Sequence, residues 1–269
     1  MPSNGLGSAA LMGLIEGLTE YVPVSSTGHL ILAGHLLSIS VEVQSTFDVV
    51  IQLGAILAVL AAFPSRFAAL CDPRRAGRSG FAGPRGLGLL ALTTLPAVLL
   101  AALSHRALQR HVFQPPVVAA GLAAGAVWML WAERRRDGRR RVSELDELDW
   151  RTALGIGLFQ CLSLWPGVSR SAATILGGMA LGLDRRVATQ YSFFAAVPVL
   201  AIASLFALWQ GGRTLTAQWW PFFAVGLGVS FVVGLAAIRW LMAFLSRHRM
   251  DVFAVYRLVL AALVLWFSR

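Results

Sequence analysis

Glu16 and Glu20 stand four residues apart in an otherwise apolar stretch. On a helix both carboxylates share one face and can hold a single cation or proton between them. Shortly after them, Pro23-Val-Ser25-Ser26-Thr27-Gly28-His29 places three hydroxyls ahead of a histidine at an expected helix start. Hydroxyl caps and free amides at a helix N-terminus favour an anion. A second run, Trp165-Pro166-Gly167-Val-Ser169-Arg170-Ser171, offers the same elements plus one guanidinium able to grip phosphate bidentately, with Gln160 flanking it. Two helix N-termini, an arginine, a histidine and two carboxylates suit pyrophosphate hydrolysis. Cations and amides neutralise the phosphoryl oxygens, a metal bridges them, and a base or nucleophile attacks in line. Three attackers fit: Ser26 activated by His29, His29 itself, or a water activated by His29. The structural alternative is that the carboxylates simply pair with a buried arginine, Arg170 being the obvious partner.

The two polar runs read as one broken hairpin written twice. Ser25 to Ser169 is an offset of 144 residues, and Thr46-Phe47-Asp48-Val49-Val50-Ile51 corresponds to Ser192-Phe193-Phe194-Ala195-Ala196-Val197 at an offset of 146. A near-constant offset over separate blocks argues for duplication. In membrane proteins, paired short apolar segments interrupted by Gly and Pro mark a site at the interface of two repeats.

Composition decides the solvent in which those hairpins fold. Hydrophobic residues make up 57% of the chain and charged residues 13%, with a mean hydropathy of +0.69, so a polytopic membrane protein is expected. No cleavable signal is expected, because the apolar N-terminal stretch lacks a basic flank and contains Glu16 and Glu20. Cys71 and Cys161 suggest neither a disulfide framework nor a zinc site. All 23 basic residues are arginines, and they cluster in short loops between apolar runs. That pattern reads as topology signals beside anionic lipid, with no nucleic-acid partner.

Six apolar stretches of membrane length are expected near 47–63, 86–103, 117–132, 190–209, 222–241 and 252–268. Loops 64–85, 133–151, 183–189 and 242–251 carry sixteen arginines against four on the opposite side, which makes the arginine-rich side cytoplasmic. The hairpin arms fall near 6–22 with 29–38, and 152–164 with 172–182. If both hairpins are re-entrant, one dips from each side and their Pro-Ser loops meet inside the protein, the only depth at which irregular backbone is tolerated. The expected fold is therefore an all-α polytopic membrane protein with six transmembrane helices and two re-entrant helical hairpins. It forms a single domain of inverted repeats, about 6–132 and 152–268, joined by cytoplasmic loop 133–151. The alternative is that each hairpin crosses as one kinked span. Of thirteen acidic residues, only Glu16, Glu20 and Asp48 fall inside apolar segments; the other ten are placed in loops. Each buried carboxylate costs at least ~2.5–3.5 kcal/mol on insertion scales, so something must offset it.

These segments resemble the undecaprenyl-diphosphate phosphatase family of bacitracin-resistance proteins. The resemblance rests on Glu16-Gly-Leu-Thr-Glu20, Pro23-Val-Ser-Ser-Thr-Gly-His29 and Pro166-Gly-Val-Ser-Arg170-Ser171. It extends through Phe47-Asp-Val-Val-Ile-Gln52, Phe193-Phe-Ala-Ala-Val-Pro198 and Tyr256-Arg257 to cover essentially the whole chain. One departure is Asp48, where Glu is usual. The resemblance implies a bacterial inner-membrane enzyme whose active site opens to the outer side. It would remove the terminal phosphate of a polyprenyl diphosphate lipid to regenerate the monophosphate carrier of peptidoglycan synthesis. A divalent cation, Mg²⁺ or Ca²⁺, is implied as cofactor. Carried over by position, Glu16 and Glu20 are the metal-binding pair, with Glu20 as ligand or water-orienting base. Ser26, His29 and Arg170 join Glu20 in catalysis, and Ser25, Thr27, Gln160, Ser169 and Ser171 bind substrate. His35, His105, His111 and His248 have no comparable company and read as structural or interfacial. A transporter or flippase of polyprenyl phosphate lipids would use the same arginine and hydroxyls but has no need of His29 beside Ser26 and a carboxylate pair. The soluble-type lipid phosphatase motif begins with a Lys, which this chain lacks.

Overall fold

A computed structural model describes residues 5–37, 39, 41–75, 80–111, 114–134, 142–211 and 219–267. Arg78, Arg135, Arg136, Arg139, Arg140, Arg141, Arg213 and Arg269, which contribute to the charge asymmetry above, lie outside the described residues. In chain order the α-helices are α1 (Gly5–Thr19), α2 (Ser26–Leu36), α3 (Val41–Ala62), α4 (Pro64–Leu70), α5 (Gly83–His111) and α6 (Pro115–Arg134). They continue as α7 (Trp150–Gln160), α8 (Arg170–Ala180), α9 (Arg185–Gly211), α10 (Trp220–Leu245) and α11 (Asp251–Phe267). No named strand occurs among the described residues; a single bridge joins Val142 and Leu183.

The protein is an all-α, multi-pass membrane protein. Four helices are long and apolar enough to cross: Gly83–Ser104, Pro115–Arg134, Arg185–Trp209 and Trp220–Leu245. Large apolar side chains such as Leu103, Val127, Trp209, Val232, Val259 and Trp266 are exposed around the bundle, an outward face suited to lipid rather than water. The stretch expected to span 47–63 is part of a bent pair, Thr46–Ala62 and Pro64–Leu70, which meet at 89°. Pro64 opens α4, where its missing N–H costs nothing but cannot continue the ladder of α3. The last stretch forms a helix of 17 residues. At 1.5 Å per residue it is about 25 Å long, slightly less than a typical hydrocarbon core.

Each broken hairpin follows from a proline. Pro23 and Pro166 lack an N–H and disfavour the helical region in the residue before them, so α1 stops at Thr19 and the short 3-10 turn after α7 stops at Leu164. Each first arm then packs on a helix from the other half of the chain, α1 along α10 and α7 along α5. Glycine permits both approaches. A Cβ at Gly17 would lie 2.7 Å from the Ser230 carbonyl oxygen, and one at Gly157 would lie 2.8 Å from that of Thr93. Helices α3 and α9 pack together, as do α6 and α11. Such close packing of small residues is how membrane helices associate where apolar burial offers little drive.

One acidic residue placed in a loop by sequence is instead buried. Glu133 ends α6 at 2% exposure, pairs with Arg185 at 2.6 Å and accepts the Met250 N–H at 3.1 Å. It joins α6, the start of α9 and the α10–α11 turn. The adjoining segment is held by Asp146 and Asp149. Asp149 caps α7 by accepting the Thr152 N–H at 2.8 Å, which draws its carboxyl below the ordinary range. Burial works to raise Asp146, but the Phe81 N–H at 2.8 Å and the Arg66 guanidinium outweigh it and hold that carboxyl low.

Candidate active site

The two Pro-broken loops meet. After Pro23 the chain turns into α2 through Ser25, and after Pro166 it turns into α8 through Ser169. The two serines have nearly identical unusual backbones, at φ 74° and 73°. A non-glycine residue there costs on the order of 1–3 kcal/mol and persists only where its surroundings hold it. Several contacts do so. The Ser169 hydroxyl accepts the Ala172 N–H at 3.3 Å, and Ser171 Oγ lies 2.9 Å from Ser169 Oγ. Ser171 also donates to the Val22 carbonyl across the junction at 3.2 Å, and Tyr21 donates to the Ala55 carbonyl at 2.8 Å. The Ser25 side chain makes no capping bond to α2 and is buried.

At the junction Glu20 is the hub. Its Oε1 pairs with Arg170 at 3.0 Å, and its Oε2 accepts the Ser26 hydroxyl at 2.7 Å. Arg170 also donates to the Ser192 carbonyl at 3.0 Å and lies over the Tyr21 ring at 5.6 Å, while its Nε has no partner. Both members of the ion pair are over nine-tenths buried. Removing one member of such a pair leaves an uncompensated charge, at about 3–5 kcal/mol. The Arg170–Glu20 pairing anticipated as the structural alternative is therefore present, and it also joins the two hairpins.

Ser26 and His29 follow separate hydrogen-bonding routes. His29 Nδ1 sits 2.8 Å from the Ser25 carbonyl oxygen, and Nε2 sits 2.6 Å from the Tyr256 hydroxyl. A carbonyl can only accept, so Nδ1 carries the proton, and in the neutral ring Nε2 accepts from Tyr256. The hydroxyl proton of Ser26 points to Glu20. Thr27 lies nearby and exposed, on the rim of a cavity of about 280 Å³ whose lining includes Glu16, Ser26, Asp48 and Gln52. Gln160 does not join the cluster's hydrogen bonds; it is fully buried and donates to the Thr93 carbonyl at 3.0 Å.

The residues expected to hold a metal divide. Both Glu16 oxygens are buried without a hydrogen-bond partner, whereas both Glu20 oxygens are engaged. Among the described residues no three His, Cys, Asp or Glu side chains form a preformed metal centre. An oxygen-ligated cation still fits beside Glu16, since an orphaned buried carboxylate needs a positive partner or a proton.

A profile of the bacitracin resistance protein BacA family matches residues 9–263, a span containing every residue of this cluster. The chain belongs to that family. Among curated BacA-like relatives, an undecaprenyl-diphosphatase of Nitratidesulfovibrio vulgaris is 50% identical over 260 residues, covering 97% of each chain. One from Maridesulfovibrio salexigens is 48% identical over 264 residues, covering 98% of this chain and 99% of its own. One from Verminephrobacter eiseniae is 44% identical, covering 97% and 94%.

In this BacA-family chain three contributors lie in quoted segments to which the sequence assigned no role. Ser192, on α9, receives Arg170 and bonds Thr174 Oγ1 at 2.7 Å. Tyr256 stacks on His29, with ring centroids 5.6 Å apart. Arg257, fully buried in α11, bonds only backbone carbonyls: Nε donates to Leu122 at 3.2 Å and NH1 to Pro23 at 3.2 Å, while NH2 reaches Gly121, Gly167 and Val168 at 3.3, 2.8 and 2.9 Å. It therefore fastens both Pro loops to α6. Gly125 makes room for it, since a Cβ there would collide with the guanidinium. The available signals were an arginine inside the last apolar stretch and the place of Tyr256-Arg257 among the segments that carry the resemblance.

Proposed function

We propose that this chain is an undecaprenyl-diphosphatase, hydrolysing the terminal phosphoanhydride of a polyprenyl diphosphate lipid to the monophosphate and inorganic phosphate. Such an activity recycles the lipid carrier of peptidoglycan synthesis and confers bacitracin resistance. The observation that carries the reading is the convergence of Arg170, Glu20 and Ser26 from two separate hairpins at one buried junction. The relatives matched over nearly the full chain are named for the same activity, which agrees with it.

Arg170 is the phosphate-gripping group: its free Nε and its planar fork can engage the terminal phosphoryl oxygens. The helix starts at Ser25 and Ser169 add backbone amides, Thr27 extends the hydroxyl lining, and Ser171, fully buried, steadies the loop junction. Ser26 attacks phosphorus as its proton passes to Glu20, the Ser26 O–P bond forms, and the bridging P–O bond breaks toward the lipid monophosphate. Water then cleaves the phosphoserine, with His29 Nε2 as base once Tyr256 gives way, releasing inorganic phosphate. Mg²⁺ or Ca²⁺ is the cofactor, with Glu16 the carboxylate that suits it best; when bound it neutralises phosphoryl oxygens. Purified protein in detergent should release phosphate from undecaprenyl diphosphate, lose the activity in EDTA and regain it with Mg²⁺ or Ca²⁺. No release in detergent would favour a lipid carrier, which cannot turn over without a membrane. Full activity in EDTA would remove the metal from the mechanism.

The arrangement in the membrane that serves this function is six spans and two re-entrant hairpins in inverted repeats, with the site open to the outer side of the inner membrane. The exchange of packing partners supports it: α1 meets α10 as α7 meets α5, and α2 touches α11 as α8 touches α6. A reporter active only in the cytoplasm should work when fused within 133–151 and fail after Arg269. The opposite pattern overturns this topology.

A further inference from the structure

The cavity beside the cluster has a charge balance that the cluster leaves unsettled. Glu20, Asp48 and Arg170 all act on Glu16, and of these only Arg170 is a cation. Arg170 is spent on Glu20, so if all three carboxylates are ionised two negative charges stay uncompensated. Three of the unpartnered buried polar atoms belong to residues of one cavity. Both oxygens of Glu16 and Oδ1 of Asp48 are buried without a hydrogen bond, and both residues line the same 280 Å³ cavity. Glu16 is 1% exposed, so water does not offset its charge from outside.

The polar part of the remaining lining, which sits among Leu30, Ile31 and Val49, suits a hard cation. Asp48 and Gln52 are four apart on α3 and so lie on one face, opposite Glu16 on α1. Gln52 lines the cavity, and its amide oxygen accepts the Ser204 hydroxyl at a long 3.3 Å. Ser26 and Thr27 put hydroxyls at the rim, toward the phosphate site. All these donors are oxygen, with no Cys or His, which selects Mg²⁺, Ca²⁺ or Mn²⁺ over zinc. Two carboxylates with the remaining positions left to water or phosphate oxygens is the usual provision for such ions at phosphoryl-transfer sites. The volume admits an ion with several waters, at roughly 30 Å³ each.

We propose that Glu16 and Asp48, assisted by the Gln52 amide oxygen, bind one divalent cation in this cavity, and that Glu20, engaged by Arg170 and Ser26, serves as the base and is not a ligand. The role of the ion in hydrolysis rests on the phosphatase reading; its binding does not.

Mn²⁺ titrated into the detergent-solubilised full chain and followed by electron paramagnetic resonance separates the two. Wild type should take up one Mn²⁺. Asp48→Asn and Glu16→Gln should each weaken binding by about tenfold or more, at least the loss seen when a supporting partner of a metal ligand is removed. Glu20→Gln should bind Mn²⁺ like wild type while losing hydrolysis. Should Asp48→Asn fail to fold, as judged by its thermal melt without metal, Gln52→Leu carries the same test. Wild type without a stoichiometric site, Asp48→Asn (or Gln52→Leu in its place) binding as wild type, or Glu20→Gln losing Mn²⁺ as Glu16→Gln does would each overturn the assignment. Mn²⁺ binding without hydrolysis of any polyprenyl diphosphate would leave the cation site standing and remove the phosphatase reading; hydrolysis with no Mn²⁺ site would do the reverse.

Discussion

Glu20→Gln is expected to lower kcat/KM for polyprenyl diphosphate by about 10³-fold or more, within the range that general-base and electrostatic losses reach. The amide keeps the shape of the side chain but removes the acceptor for the Ser26 proton and the counter-charge of Arg170. Arg170→Lys should cost on the order of 10²-fold, because an ammonium cannot span Glu20, the Ser192 carbonyl and a phosphoryl oxygen at once. The two losses should not add when combined, since both act through one ion pair. Steady-state phosphate release by the single and double variants measures all three values. A Glu20→Gln enzyme within tenfold of wild type would remove Glu20 as the base, and strictly multiplicative losses would dissolve the coupling.

Arg257→Met should be the most destabilising single substitution away from the reacting groups. It deletes five hydrogen bonds from a fully buried guanidinium and strands carbonyls in three segments. Charge-assisted bonds contribute about 1.5–3 kcal/mol each, and breaking such a buried arrangement typically costs about 3–5 kcal/mol in total. The apparent Tm in detergent should fall by about 10 °C or more, at ~2–4 °C per kcal/mol for a chain of this size. Activity should fall with it, because Pro23, Gly167 and Val168 are the loop residues Arg257 holds. Arg257→Lys should recover only part of both losses, since one ammonium cannot reach all five carbonyls. A variant melting with wild type would show that the loops hold each other without it.

The hairpins were legible because prolines break helices wherever they fall, and Pro23 and Pro166 each interrupt an apolar run beside serines. The ionisable members of the cluster were legible because Glu16, Glu20 and Arg170 stand out in a chain with few charges. Their pairing was less so. Ser26 lies three residues from His29 yet bonds Glu20, because the helix start at Ser25 turns the hydroxyl back toward α1. The i, i+4 spacing suited a shared metal and a pairing with Arg170 equally, and spacing alone does not choose; Arg170, 150 residues away, occupies Glu20. Gln160 looked like a ligand through its place beside Trp165-Pro166, but α7 points it into the α5 interface. Glu133 looked like a loop acid because arginines follow it directly, whereas its partner Arg185 comes from α9. Arg257 stood out in the Tyr256-Arg257 segment, but its role was the hardest to read, since its partners are carbonyls, which every residue possesses.

The clasp formed by Arg257 also sets an order of events during biosynthesis. Pro23 and Gly167 leave the ribosome 234 and 90 residues ahead of the arginine that fastens them. Until α11 enters the bilayer beside α6, the nascent protein has its loops made but not fastened, and with them the seat of its catalytic groups. Insertion of that helix is therefore the step that arms the enzyme, and faulty delivery of one C-terminal segment would silence a site whose reacting groups were all made earlier.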